Sequence, residues 1–186
     1  MEVLFATSNR HKFNEAKEIL FNANVNILHF DFKHNEIRSD SLEEIAMEAA
    51  TTAYKLAKKP VFVEDTGLFI DALNGFPGTY SAWAQKKIGN EGILKLMAGT
   101  ANRSASFKTC IAFVNGKTKG EARTFTAECK GQISEKPRGN DGFGYDPVFI
   151  PEGEQHTFAE NASFKNKHSH RYKSLLLLAN HLATDD

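Results

Sequence analysis

Cysteine is scarce in this chain. Cys110 and Cys129 are its only two, which excludes a disulfide framework as the source of stability. Asn115-Gly116 reads as a hairpin turn that sets Cys110 near Glu121 rather than Cys129. Only a longer loop through Lys117 to Gly120 would bring the thiols closer, so two reduced, packed thiols are expected. An excess of charge of one sign is also missing. The chain has 23 Lys and Arg against 23 Asp and Glu, so no overall field draws it to nucleic acid or to an anionic membrane, and any basic site must be local. No stable nucleic-acid partner is expected. No apolar run approaches the ~20 residues of a membrane span. Glu2 and the short apolar stretch after it do not read as a signal peptide, so no membrane association and a cytoplasmic location are expected. Repeats, low-complexity tracts and separating linkers are lacking as well. Residues 1–186 therefore read as one domain, long enough to bury a real core.

What is present is a βα pattern. Strands are predicted at 3–7, 25–31, 61–64, 105–114, 121–130 and 147–150, and helices at 10–22, 42–58, 68–73, 91–97 and 170–182. Helix 42–58 carries the clearest signals. Ser41-Leu42-Glu43-Glu44 forms a capping box, Leu42, Ile45, Ala46, Ala49, Ala53 and Leu56 share a face, and Pro60 stops the helix. A hairpin inside a βα pattern predicts an α/β fold with a mixed central β-sheet flanked by helices. Gly116-Lys117-Thr118 imitates the end of a phosphate-binding loop. However, Ile111 stands where that motif needs glycine, and the segment lies in a hairpin rather than before a helix.

Four groups of residues carry chemistry. The most informative is the loop from Gly139 to Phe149, with Gly142, Phe143, Gly144, Tyr145, Asp146 and Pro147. Its glycines permit close approach of the backbone, Phe143 and Tyr145 offer faces for stacking a base, and Pro147 opens a strand. The second is the turn Thr7-Ser8-Asn9 from the first strand into a helix with Lys12 in its first turn. Unpaired amides and a cation there favour phosphate. The third is Glu64-Asp65-Thr66-Gly67-Leu68 at the C-terminal end of a strand, the edge where open α/β sheets place ligands. Mg²⁺ takes one or two carboxylates plus waters and substrate phosphates, so Asp65 with one further acid suffices. Thr66 otherwise caps the next short helix. The fourth is Lys165-Asn166-Lys167-His168-Ser169-His170-Arg171, where cations at a helix start suggest an anion nearby. With both cysteines distant in sequence, a zinc site is not expected there.

In this order, and from one terminus to the other, these groups together with Gly75-Phe76-Pro77-Gly78-Thr79-Tyr80-Ser81 resemble the inosine/xanthosine triphosphate pyrophosphatase family. Its Phe-Gly-Tyr-Asp-Pro loop stands at Phe143 to Pro147. Its Lys, Asn and Ser-His-Arg signature stands at Lys165, Asn166 and Ser169-His170-Arg171. The one departure is Thr66, where the family commonly has Ser. The resemblance implies an elongated two-lobed α/β fold with a central cleft, a homodimer, and Mg²⁺-dependent attack of water on the α-phosphorus of ITP, dITP or XTP with release of pyrophosphate. It also implies roles: Asp65 as metal ligand and water-activating base, Glu36 as the second metal carboxylate, and Lys12 and Lys165 as phosphate ligands. Thr7, Ser8, Asn9, Thr66, Phe143, Gly144, Tyr145 and Asp146 complete the substrate site.

A base with a 6-oxo group needs donors, and Ser169, His170 and Arg171 supply them. On this reading Arg171→Ala lowers turnover of ITP and XTP but not of ATP. Two alternatives stay open. One is a non-catalytic nucleotide or single-stranded RNA binding module using Phe143, Tyr145 and segment 165–171. The other is a related pyrophosphatase for modified pyrimidine triphosphates. Carboxylates beside phosphates argue against the first unless a cation intervenes.

Overall fold

The computed structural model describes residues 2–118 and 121–184. Lys119 and Gly120, in the longer hairpin loop considered above, lie outside the described residues. In chain order the elements are β1 (Val3–Ala6), α1 (Arg10–Asn22), β2 (Ile27–Phe30), α2 (Leu42–Ala57), β3 (Val61–Ile70), β4 (Pro77–Gly78), α3 (Ser81–Leu96), β5 (Ser104–Val114), β6 (Arg123–Ile133), β7 (Phe149–Pro151), α4 (Ala162–His168) and α5 (His170–Thr184). One sheet runs β2-β1-β3-β5-β6-β7, with β4 paired to β3. β1 lies parallel to β2 and β3, whereas the β3/β4 and β6/β7 pairs are antiparallel. The mixed sheet predicted from the βα pattern and the hairpin is present. Among the described residues no helix is long and apolar enough to cross a membrane.

The chain forms two compact units, one of residues 1–65, 109–127 and 171–186, the other of residues 66–108 and 128–170. The first is built around Phe5, Ile19, Leu20, Phe62, Ile111, Phe113, Leu175 and Leu178, with the Phe5 and Phe62 rings stacked at 4.4 Å. The second centres on Leu68, Ile70, Ile93, Met97, Phe107, Val148, Phe149 and Phe158, where Phe107 meets Phe149 edge-on at 4.7 Å. Both cysteines are buried free thiols. Burial first, then the nearby charges of Glu43, Asp65 and Glu64, push the Cys110 thiol up to about 12, so it stays protonated near neutral pH.

α2 follows its sequence signals closely. Ser41 is its N-cap, accepting from the Glu44 N–H at 3.2 Å. The capping box is closed indirectly, because Ser39 Oγ accepts from the Ser41 N–H and donates to Glu44 Oε2. Leu56, expected on the apolar face, is exposed, and Ala50 is buried instead.

Other elements differ from expectation. β3 does not stop at residue 64 but runs to Ile70, because Leu68 and Ile70 enter the second core and Leu68 and Phe69 pair with Gly78 and Pro77. The helix predicted at 68–73 is therefore only a single turn, Asp71–Leu73. Glu64 to Leu68 lie inside a strand rather than at its end, and Thr66 caps no helix. The helix predicted at 91–97 begins ten residues earlier, at Ser81, and is broken at Gly89 (φ 60°, ψ −168°). Pro147 belongs to a single helical turn before β7 rather than to the strand. α4 was not foreseen.

Candidate functional site

Each unit holds one cluster of the residues singled out by sequence. In the first unit, β1 ends at Ala6 and Asn9 caps α1. Its Oδ1 accepts from the N–H groups of His11 (3.0 Å) and Lys12 (3.2 Å), and Thr7 Oγ1 accepts from the Asn9 N–H at 3.1 Å. The expectation of unpaired amides here needs correction: Asn9 itself satisfies two of them, as N-cap side chains do. Ser8 is exposed in the same turn.

Lys12 Nζ donates to the Glu64 carbonyl at 3.2 Å and lies 3.4 Å from Glu64 Oε1. Arg171, at the start of α5, grips the same carboxylate with two donors, Nε to Oε2 at 2.9 Å and Nη2 to Oε1 at 2.7 Å. Its Nη1 donates to Glu15 Oε2 at 2.6 Å. Two cations thus face two carboxylates, and the Glu64 side chain is fully buried. Burial opposes the Arg171 charge, but Glu64 and Glu15 outweigh it and hold the guanidinium above its ordinary range. Arg171 was expected to read a base, yet here its donors point to Glu64 and Glu15. Asp65, the next residue of β3, is half-buried, and its carbonyl accepts from Thr109 Oγ1 at 3.0 Å.

In the second unit Asp146 organises the glycine loop. The buried carboxylate accepts through Oδ2 from the Phe143 N–H and from Lys165 Nζ, both at 2.7 Å. Lys165 Nζ also sits 4.5 Å from the centroid of the Phe143 ring, within cation–π range. Gly142 is required beneath this arrangement: its φ is +76°, and a Cβ there would run into the Asp146 carboxylate. Lys165, expected on phosphate, is buried against Asp146, and Phe143 is half-buried.

Tyr145 corrects the stacking expectation, because it is buried in the second core and its hydroxyl donates to the Ser81 carbonyl at 2.9 Å. Burial raises its phenol above the ordinary range. The basic segment also reads differently. Lys165, Lys167 and His168 lie in the last turn of α4, where cations suit the helix dipole. Ser169 caps that helix, its N–H donating to the Lys165 carbonyl. The His170 ring stacks on Phe107 at 4.6 Å. Thr66 is half-buried at the start of the second unit, and Glu36 stays exposed in the irregular stretch between β2 and α2, outside both groups of contacts.

Sequence reasoning missed Glu15, Gln85 and Asn90, and it quoted Ser81 within a motif without giving it a role. Gln85 Nε2 and Asn90 Nδ2 both donate to the Gly144 carbonyl, at 2.9 and 3.0 Å. Glu15 had a signal, since it stands three residues after Lys12 and so shares its face of α1. The two amides had none. Among the described residues no group of three or more His, Cys, Asp or Glu side chains could hold a metal ion. That is compatible with Mg²⁺, which needs only one or two carboxylates once substrate is present.

The protein is thus of the mixed α/β class, with a lysine-linked acidic strand and a carboxylate-anchored glycine loop. Residues 3–181 match the model of the Ham1 family, and the chain belongs to that family. It is similar to the dITP/XTP pyrophosphatase of Methanopyrus kandleri, with 52% identity over 94% of this chain and 93% of that protein. It is also similar to that of Saccharolobus solfataricus, with 47% identity over 95% and 91%. Among solved structures, the HAM1 protein from Coxiella burnetii superposes with a TM-score of 0.86 at 30% identity, covering 99% of both chains. The family resemblance drawn from the motifs is thereby borne out.

Proposed function

We propose that this chain hydrolyses noncanonical purine nucleoside triphosphates (ITP, dITP and XTP) to the monophosphate and pyrophosphate, clearing them from the nucleotide pool. The observation that carries this reading is the near full-length match to relatives named dITP/XTP pyrophosphatase. The glycine loop and acidic strand support it, since they hold the residue types such a reaction needs.

Chemistry of this kind depends on positioning and charge neutralisation more than on covalent steps. Glu64 is committed to Arg171 and Lys12, which supports Asp65 as the carboxylate of the acidic motif that holds Mg²⁺, with Glu36 as a second. When bound, Mg²⁺ supplies charge neutralisation on the phosphate oxygens and lowers the pKa of a bound water. Asp65 then takes the proton of the attacking water. Lys12 serves the phosphates as a compact point charge, helped by Thr7, Ser8, Asn9 and Thr66. Phe143 stacks on the base, while Asp146 and Lys165 set the shape of the loop that carries it. Ser169 and His170 line the base end of the substrate. A homodimer in the cytoplasm completes the proposal.

The deciding experiment is a panel of purine and modified pyrimidine triphosphates, with and without Mg²⁺ chelation, read as pyrophosphate against orthophosphate. The proposal expects pyrophosphate from ITP, dITP and XTP only, and none after chelation. Orthophosphate as the first product, or no turnover of any triphosphate with Mg²⁺ present, overturns it.

A further inference from the structure

Helix α3 grips the glycine loop in a way that leaves one backbone group conspicuously placed. Asp146 N–H donates to the Phe143 carbonyl at 3.3 Å, closing a four-residue turn. Gly144 has φ +63° and Tyr145 has φ −92°, ψ 5°. A positive first angle and a negative second one mark a type II′ turn, with glycine at the position that demands it. The central Gly144–Tyr145 peptide of such a turn stands out of the plane of the turn.

Its carbonyl is the one that accepts from both Gln85 and Asn90. The orientation of these amides is set, because exchanging nitrogen and oxygen would place oxygen against oxygen. In an unbroken helix, residues 85 and 90 would point about 140° apart. The break at Gly89 is what lets both reach one atom. A trans peptide directs its C=O and N–H oppositely, and Phe76–Pro77 is the only cis bond among the described residues. The Tyr145 N–H therefore points away from the two amides. Among the described residues no backbone carbonyl of a turn or loop accepts from it. Two donors on the carbonyl polarise the peptide and strengthen that N–H as a donor. A Cβ built on Gly144 would meet nothing within 4 Å, so space for a ligand adjoins this peptide.

We propose that Gln85 and Asn90 are positioning residues for base recognition: they hold the Gly144–Tyr145 peptide so that the Tyr145 N–H donates to the 6-oxo oxygen of a purine. The inference rests on the purine nucleotide reading above. Hypoxanthine and xanthine present an oxygen at that position, whereas adenine presents an amino group that would set donor against donor. It also supplies a donor for a base whose expected reader, Arg171, is engaged by Glu64 and Glu15.

The test uses the full chain and the double variant Gln85→Ala/Asn90→Ala, titrated with inosine monophosphate and, separately, with pyrophosphate. The variant should bind inosine monophosphate about tenfold more weakly, as loss of one base hydrogen bond implies, with pyrophosphate binding unchanged. KM for ITP should rise while kcat holds. Equal weakening of both ligands, or of neither, overturns the proposal. A second measurement needs no variant: with ¹⁵N-tyrosine the wild-type chain shows four amide signals, and that of Tyr145 should move downfield with inosine monophosphate but not with adenosine monophosphate. An unmoved Tyr145 signal in a chain that binds inosine monophosphate rejects the positioning role alone. A wild-type chain that neither binds it nor releases pyrophosphate from ITP rejects the purine reading, and the inference with it.

Discussion

The two charged clusters of this protein solve the same problem at different sequence range. In the first unit Arg171 meets Glu64 and Glu15 across 107 and 156 residues of chain. In the second, Lys165 meets Asp146 across 19. Both bury cations that water would otherwise solvate, and both do so by pairing. The partners differ, however. The first cluster joins β3, α1 and α5 through side chains, so it ties together the elements of a core. The second engages the Phe143 N–H and the Phe143 ring, so it shapes a loop. One arrangement ties elements of a core together and the other sets the shape of a loop.

The largest expected effect tests whether chemistry belongs to the strand rather than to the loop. Asp65→Asn should lower pyrophosphate release from ITP by more than ~10²-fold, the scale of a lost general base, with the melting temperature little changed. Near-normal turnover would remove Asp65 from the mechanism.

Next comes the stability contrast. Glu64→Ala takes from the fully buried Arg171 the carboxylate that accepts from two of its donors, and such a break costs about 3–5 kcal/mol. Denaturant unfolding should show this loss. The pair Glu64→Gln/Arg171→Met should recover most of it, since it removes one charge of each sign and leaves Lys12 and Glu15, three residues apart on α1, as an opposite pair. Failure of the double variant to recover would mean that packing rather than charge holds this junction.

The loop offers a smaller, internal comparison. Gly142→Ala and Gly144→Ala both impose a side chain at positive φ, which costs roughly 1–2 kcal/mol. At 142 the added Cβ also strikes the Asp146 carboxylate, whereas at 144 it meets nothing within 4 Å. Gly142→Ala should therefore unfold at clearly lower denaturant than Gly144→Ala. Equal midpoints would show that Asp146 does not anchor the loop.

The smallest effect concerns pH. The Thr157 N–H, above the nearby Arg138 charge, holds the exposed Glu160 carboxyl below its ordinary range. A lowered carboxylate pKa adds stability that is fully present above the ordinary value and is lost as pH falls through the lowered one. Glu160→Gln should slightly flatten the acid limb of the melting-temperature profile and leave the neutral region unchanged. An unaltered acid limb would show the contact to be without thermodynamic weight.

Much of the framework was legible because it depends on neighbours in sequence. α1 and α2 fall where capping residues and apolar spacing put them, and the Asn9 and Ser41 caps act within three residues. The loop from Gly142 to Asp146 was also legible as a tight turn, since glycine and a nearby carboxylate act locally. The extent of β3 was not. Thr66 and Gly67 look like the end of a strand, and only pairing with Pro77 and Gly78 carries the strand on to Ile70. Gln85 and Asn90 left no trace in the sequence, because the Gly89 break that brings both onto one carbonyl is invisible to a helical pattern.

By itself, then, the sequence determined the family, the βα order and mixed sheet, and which short segments bear carboxylates, cations and glycines, because caps, turns and hydrophobic period are set by residues a few positions apart. The tertiary structure decided which charge meets which. It turned Arg171 from an expected base reader into the partner of Glu64 and Glu15, seated Lys165 on Asp146, and buried Tyr145 against Ser81. The physical reason is desolvation: a buried charge or hydroxyl needs a partner, and which partner is within reach depends on how distant segments pack, not on spacing along the chain.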